Sequence, residues 1–257
     1  MCGRYEAGQK QKIAEAFHVS VTLDDIYFGT ELECAPGSIQ PVIYMKEGER
    51  QVGEMRWGFK LPDRLLFNAR SDTVATSPFW RERLHNRCIV PAGSFFEWQK
   101  TAPEPRPKYR LAVKGRHVLG MAGLWGPSQN LKTGQWENTF AVITTDPNTK
   151  MSAIHNRQPV ILEPREYAEW LAESERPPLH LLRILPDEDT TVTEVQPPKE
   201  RAATNPTLIY CEHSSDWRRR VVSTAARVPP VSRGMSARNG SCTSSVQRMR
   251  RRCSARA

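Results

Sequence analysis

Residues 87–98 read RCIVPAGSFFEW. Cys88-Ile89-Val90 is a short apolar, β-branched run and Phe95-Phe96-Glu97-Trp98 is an aromatic one. The stretch therefore reads as a strand, a Pro91-Ala92-Gly93 turn and a second strand. Similar runs recur around it. After the breaks at Pro36, Gly37 and Pro41, Val42–Met45 reads as a strand, and so do Tyr109–Val113, His117–Leu124, Thr139–Thr145 and Val160–Leu162. Helical spacing is confined to the two ends. Within residues 6–18, Ile13, Ala14 and Phe17 share one face. A helix starting near Pro164 would bury Tyr167, Trp170 and Leu171 and stop by Pro177 and Pro178, and Leu179–Leu185 suggests a second short helix. Strands in the middle and helices at the ends predict an α+β fold: a mainly antiparallel β-sheet or barrel-like core with flanking helices.

The chain has 257 residues and a formal net charge of +9. That charge is unevenly placed. Residues 214–257 hold eleven Arg and one Asp, which leaves about −1 for residues 1–213. We therefore read 1–213 as one catalytic domain and 214–257 as a disordered, Arg/Ser-rich tail. The tail could bind polyanions loosely, but a dispensable extension is the favoured reading, and the basic total says nothing about a nucleic-acid site on the domain. Mean hydropathy is −0.58, and no apolar run approaches the ~18–20 residues that span a bilayer. MCGRYEAGQK shows no apolar signal region, so neither membrane attachment nor export is expected. The six Cys stand at 2, 34, 88, 211, 242 and 253, with no C-x-x-C pair. Free thiols in a reducing cytoplasm and no structural metal are the expectation. The phosphate-cradling, dinucleotide, serine-hydrolase and zinc-protease motifs are missing, so no nucleotide or other cofactor is expected.

Cys2 carries the most chemistry. Loss of Met1 would place an α-amine beside a thiol, with reference pKa values of ~8 and ~8.5. An amine attacks an aldehyde to give an imine, and the neighbouring thiol then closes a five-membered thiazolidine. An internal Cys has no such route. A frayed terminus with an incidental Cys is the plainer reading. Arg4 could hold a phosphate, and Trp57 beside Arg56 could stack on a base. Asn68 could orient a substrate oxygen and Arg70 clamp a phosphate; a core strand and a polar loop would use the same residues. Glu97, if buried, would have the raised pKa of an acid/base, though it could equally face solvent by strand alternation. His155 sits beside Arg157 in a polar stretch and could shuttle protons, or be a surface-loop histidine. Together these residues suit covalent chemistry with acid–base help.

Met1-Cys2-Gly3-Arg4, Arg56-Trp57-Gly58, Asn68-Ala69-Arg70, Pro91-Ala92-Gly93 with Phe96-Glu97-Trp98, Ala122-Gly123-Leu124-Trp125, Thr144-Thr145 and Ile154-His155-Asn156-Arg157 follow in order over residues 2 to about 210. This series resembles the SOS response-associated peptidase (SRAP) family, also called abasic-site processing proteins. The resemblance implies a protein that binds single-stranded DNA at an abasic site. Its N-terminal Cys, freed of Met, forms a thiazolidine crosslink to the exposed aldehyde and shields the lesion. It implies Cys2 as nucleophile and Asn68 positioning the amine or sugar. Glu97 would serve in proton transfer and reversal, and His155 in ring opening and Schiff-base steps. Arg4, Arg70 and Arg157 would be phosphate contacts, and Trp57 would pack on a base or sugar. It also implies peptidase- or lyase-like activity, a monomer, and a cytoplasmic, nucleoid-associated location.

Cys34 in Cys34-Ala35-Pro36, Asp72 after Ala69-Arg70-Ser71 and Gln158 depart from the family's usual Asn, Glu and Met. They bear on DNA contacts and local packing rather than on the four reacting residues. Two rivals stand beside this reading: an N-terminal-nucleophile amidohydrolase or peptidase acting through Cys2, and a non-catalytic nucleic-acid binder acting through the tail.

Overall fold

A computed structural model describes residues 2–19, 33–131 and 133–196. The described residues form strands β1 (Arg4–Ala7), β2 (Glu33–Cys34), β3 (Ile39–Lys46), β4 (Glu49–Trp57), β5 (Phe59–Lys60), β6 (Leu65–Leu66) and β7 (Asn68–Arg70). There follow β8 (Arg87–Trp98), β9 (Lys108–Val113), β10 (Leu119–Gln129), β11 (Trp136–Thr145), β12 (Gln158–Pro159), β13 (Ile161–Leu162) and β14 (Thr190–Val195). Four short α-helices are α1 (Lys10–Phe17), α2 (Pro78–Arg81), α3 (Thr149–Ser152) and α4 (Tyr167–Leu171). The fold is α+β. The proposed tail at 214–257 and the boundary at 213 lie outside the described residues.

The strand pairings close a ring. β8 pairs β3, β3 pairs β4, β4 pairs β11, β11 pairs β10, and β10 returns to β8. This is a five-stranded barrel, with the remaining strands extending it. Most pairings are antiparallel, but β11 runs parallel to both β4 and β7.

RCIVPAGSFFEW is not two strands around a turn but one continuous strand, β8. Its first half pairs β3 and β10, and its second half pairs β1 and β9. At the handover Glu6 faces Ser94 and Ala7 faces Ala92, leaving Gly93 as the extra residue of a bulge. Pro and Gly here bend a strand between two sets of partners instead of ending it. Pro41 likewise lies inside β3 and not before it. β8 contacts β3 only at Ile43 and Tyr44, so the amide missing at Pro41 leaves that ladder intact.

The N-terminal helix is shorter than its periodicity predicts, because residues 4–7 are taken into β1 by pairing with β8. Ile13 and Phe17 are buried as expected, and Ala14 is half-buried. The Pro164 helix begins as a 3₁₀ turn with a Glu163/Glu166 capping box and buries Tyr167, Trp170 and Leu171. It ends at Leu171, before the two prolines. Leu179–Leu185 yields only a 3₁₀ turn over Leu179–Leu181. β14, unpredicted, is the β-branched stretch TTVTEV laid along β9.

Candidate functional site

The site is built from the N-terminus inward. β1 is held on both sides, with Tyr5 in register with Phe95 on β8 and with Cys34 on β2. The Tyr5 ring packs 5.0 Å from Trp57, which stacks on Phe140 and donates from Nε1 to the Phe67 carbonyl at 2.9 Å. Burying such rings stabilises the strand by roughly 1.5–3 kcal/mol each. This anchoring overcomes the fraying expected of a chain end and draws Cys2 fully inside. Trp57 is itself completely buried. In contrast to the stacking role expected of it, its ring offers no face to a base and supports the strand that carries Cys2.

Asn68 opens β7, whose parallel pairing sets it opposite Val142. Its Nδ2 donates to the Cys2 carbonyl oxygen at 3.0 Å. Glu97 shares the inner face of β8 with Phe95 by strand alternation. Its sequence neighbours Phe96 and Trp98 point to the opposite face, beneath Lys108 Nζ at 4.4 and 5.3 Å. Glu97 is 4% exposed, and burial lifts its pKa to about 7. His155 follows α3, which Asn148 caps by accepting from the Met151 amide. Its Nε2 lies 3.8 Å from Glu97 Oε2, and its Nδ1 lies 3.1 Å from both the amide nitrogen and the carbonyl of Arg157. Burial lowers the imidazole pKa to about 4. At neutral pH the pair is thus a neutral imidazole beside a carboxyl poised between its two protonation states. Burial, with the charge of Glu97 added, pushes the Cys2 thiol far up, so it is held as a thiol.

Among the described residues, six buried side-chain polar atoms have no hydrogen-bond partner, and three of them are Asn68 Oδ1, Glu97 Oε1 and Arg157 Nε. Buried polar groups are normally bonded, so orphans gathered in one site mark unfilled ligand positions.

The expected phosphate contacts divide. Arg4 is half-exposed and donates to the Gly3 carbonyl at 2.8 Å. Arg70 is exposed and donates from Nε to Asp72 at 3.0 Å. Arg157 differs from expectation: it is 4% exposed, and its guanidinium bonds Asp146 at 2.6 Å and the Thr144 carbonyl. It braces the loop that carries His155, and its one unbonded nitrogen, Nε, is buried. Asp72 also approaches it, at 3.6 Å. Of the other departures, the Cys34 thiol donates to Gln40 Oε1 at 3.1 Å, and Gln158 Oε1 accepts from the Asn148 amide at 3.1 Å. Sequence reasoning missed Lys100. Its amide donates to the Ile154 carbonyl and its Nζ to Asn156 Oδ1 at 3.0 Å, joining the end of β8 to the His155 loop. No local pattern marks a contact made across 56 residues. Among the described residues no three His, Cys, Asp or Glu converge as a metal site, and no helix is long and apolar enough to cross a membrane.

Comparisons with known proteins bear on the fold and the family. A crystal structure from Bacteroides thetaiotaomicron superposes with a TM-score of 0.67 at 24% identity, over 76% of this chain and 92% of that one. A second, from Bordetella bronchiseptica, gives 0.63 at 21% identity, over 76% and 100%. The abasic site processing protein YoqW of Bacillus subtilis is 31% identical over 194 residues, 72% of this chain and 86% of that protein. HMCES of Xenopus tropicalis, also named an abasic site processing protein, is 30% identical over 53% of this chain and 50% of its own length. The family model for SOS response associated peptidase matches residues 1–199. The chain belongs to the SRAP family.

Proposed function

We propose that this protein captures abasic sites in single-stranded DNA by forming a thiazolidine through Cys2, acting as a monomer beside the nucleoid. The observation that carries the reading is the Asn68–Cys2 hydrogen bond, which fixes the reacting residue inside a site whose carboxyl titrates near neutrality. Relatives named for abasic site processing support it. Hydrolysis of the Met1–Cys2 peptide, by autoproteolysis or by a methionine aminopeptidase, frees the α-amine. The neutral His155 imidazole takes the proton of the C1 hydroxyl as the bond from C1 to the ring oxygen breaks, and the proton passes to the freed ring oxygen, leaving the open-chain aldehyde. The Cys2 amine adds to the aldehyde carbon, Glu97 protonates the departing hydroxyl, and one water leaves as the imine forms. The thiol sulfur then adds to the imine carbon, and its proton passes through Glu97 to the nitrogen. The net change is aldehyde plus aminothiol to thiazolidine plus water, with no redox step. A thiol held protonated by burial suits this order, in which the amine attacks first. Reversal uses the same proton transfers, so Glu97 serves both directions. Arg4 and Arg70 hold backbone phosphates farther along the strand, away from the reacting sugar.

The test is a denaturing gel of the protein, its Met1 loss checked by intact mass, with a single-stranded oligonucleotide carrying one abasic site. The expected result is a denaturant-stable band that requires both the lesion and Cys2, and that vanishes with Cys2→Ala or an undamaged strand. No band with Met1 absent overturns the reading and leaves amide hydrolysis at Cys2 as the chemistry to examine.

A further inference from the structure

We propose that Lys100, just past the end of β8, holds a backbone phosphate next to the reacting sugar, forming a phosphate subsite that the expected arginines leave vacant. The inference rests on the DNA reading above. Arg157 is buried on Asp146 and Thr144, and Arg70 is engaged with Asp72. Register places Arg4 opposite Phe96, so its side chain leaves β1 on the sheet face opposite Glu97. A sugar that reaches Glu97 brings a phosphodiester with it, and a partly ionised carboxylate repels that charge unless a cation stands close by.

Lys100 meets this need in three respects. It is exposed. Its ammonium is placed by Asn156 Oδ1 at 3.0 Å, a neutral acceptor, and among the described residues no carboxylate pairs with it directly. Its backbone is tied to Ile154, so the side chain is rooted beside the His155 loop. The charge reaches the reacting groups, since it acts to lower the pKa of both Glu97 and His155. An ammonium has three donors, so one can stay on Asn156 while another meets a phosphate oxygen.

The experiment compares wild type, Lys100→Ala and Lys100→Arg for non-covalent binding to an undamaged single strand across salt concentrations. It then compares crosslinking to an abasic oligonucleotide with either an ordinary or an uncharged methylphosphonate linkage beside the lesion. Lys100→Ala is expected to bind about five-fold more weakly near 0.1 M salt, with a log–log salt slope shallower by about 0.7, the loss of one phosphate contact on a single strand. Lys100→Arg should stay near wild type. The methylphosphonate flanking the lesion on the Lys100 side should slow wild-type crosslinking at low DNA concentration by a similar factor and leave Lys100→Ala unaffected. Reaction with free 2-deoxyribose, compared at each variant's pH optimum, should be unchanged. An unaltered salt slope in Lys100→Ala overturns the subsite, and a shifted pH profile beside that unaltered slope makes Lys100 a tuner of Glu97 alone. Because the salt slope needs no covalent step, it is read even where wild type forms no crosslink, so failure of the abasic-site reading is told apart from failure of the subsite.

Discussion

Glu6 and Glu97 lie on paired strands but on opposite faces of the sheet, and they behave in opposite ways. On the outer face Glu6 accepts from Ser94 at 2.6 Å and from Arg110 at 2.8 Å, and these partners hold its carboxyl below the ordinary range despite partial burial. On the inner face Glu97 has a neutral imidazole at 3.8 Å and an orphaned Oε1, and its pKa rises to about 7. Burial opposes ionisation at both. The outer face answers it with a guanidinium and a hydroxyl, whereas the inner face leaves it standing. Satisfied polar groups make a stable surface, and unsatisfied ones make a site that can exchange protons and accept a ligand.

Glu97→Gln should break the comparison most severely. Crosslinking should slow by about 100-fold or more, the scale of a lost general acid–base group, and the rate inflection near pH 7 should disappear from the pH profile. Stability should move the other way. Folded Glu97 keeps a proton that the unfolded chain releases from about 4.5 upward, so wild type loses stability as pH rises from there through about 7. At pH 8 the variant should therefore be more stable, by on the order of 2 kcal/mol, as read by chemical denaturation. His155→Phe should slow the reaction by about 10- to 100-fold yet retain the inflection near 7, because an imidazole that titrates at about 4 does not produce it. Asn68→Ala, which removes the grip on the Cys2 carbonyl, should cost about ten-fold in crosslinking rate with thermal stability little changed. Glu6→Gln on the outer face should leave crosslinking intact and reduce stability at pH 7 by less than about 1 kcal/mol. That difference should fade as pH falls through the depressed pKa of Glu6, since the protonated wild type loses the same ion pair.

The parts of the molecule that were legible in sequence depend on local pattern. Tyr109–Val113 and Thr139–Thr145 announce strands by their β-branched and apolar content and lie within β9 and β11. Tyr167, Trp170 and Leu171 announce a buried helical face and are buried. The seven ordered blocks, with Cys2 at their head, marked the family. Residue type alone set the repertoire of an amine, a thiol, a carboxyl, an imidazole and an amide, because those functional groups exist before folding. Sequence could not assign their states. Glu97 looked flanked by two aromatics, yet alternation turns both away, and its raised pKa comes from the opposite face. Trp57 and Arg157 have the residue types of DNA contacts, but packing buries one under Tyr5 and ion pairing binds the other to Asp146. Lys100 had no signature, since its partners lie more than fifty residues away. Pro91-Ala92-Gly93 has the residue types of a turn, and only the pairing of β8 with four different strands makes it a bulge. Propensity and side-chain chemistry are properties of short stretches, whereas burial, register and charge pairing belong to contacts between distant ones, and those contacts turned a list of reactive groups into a site.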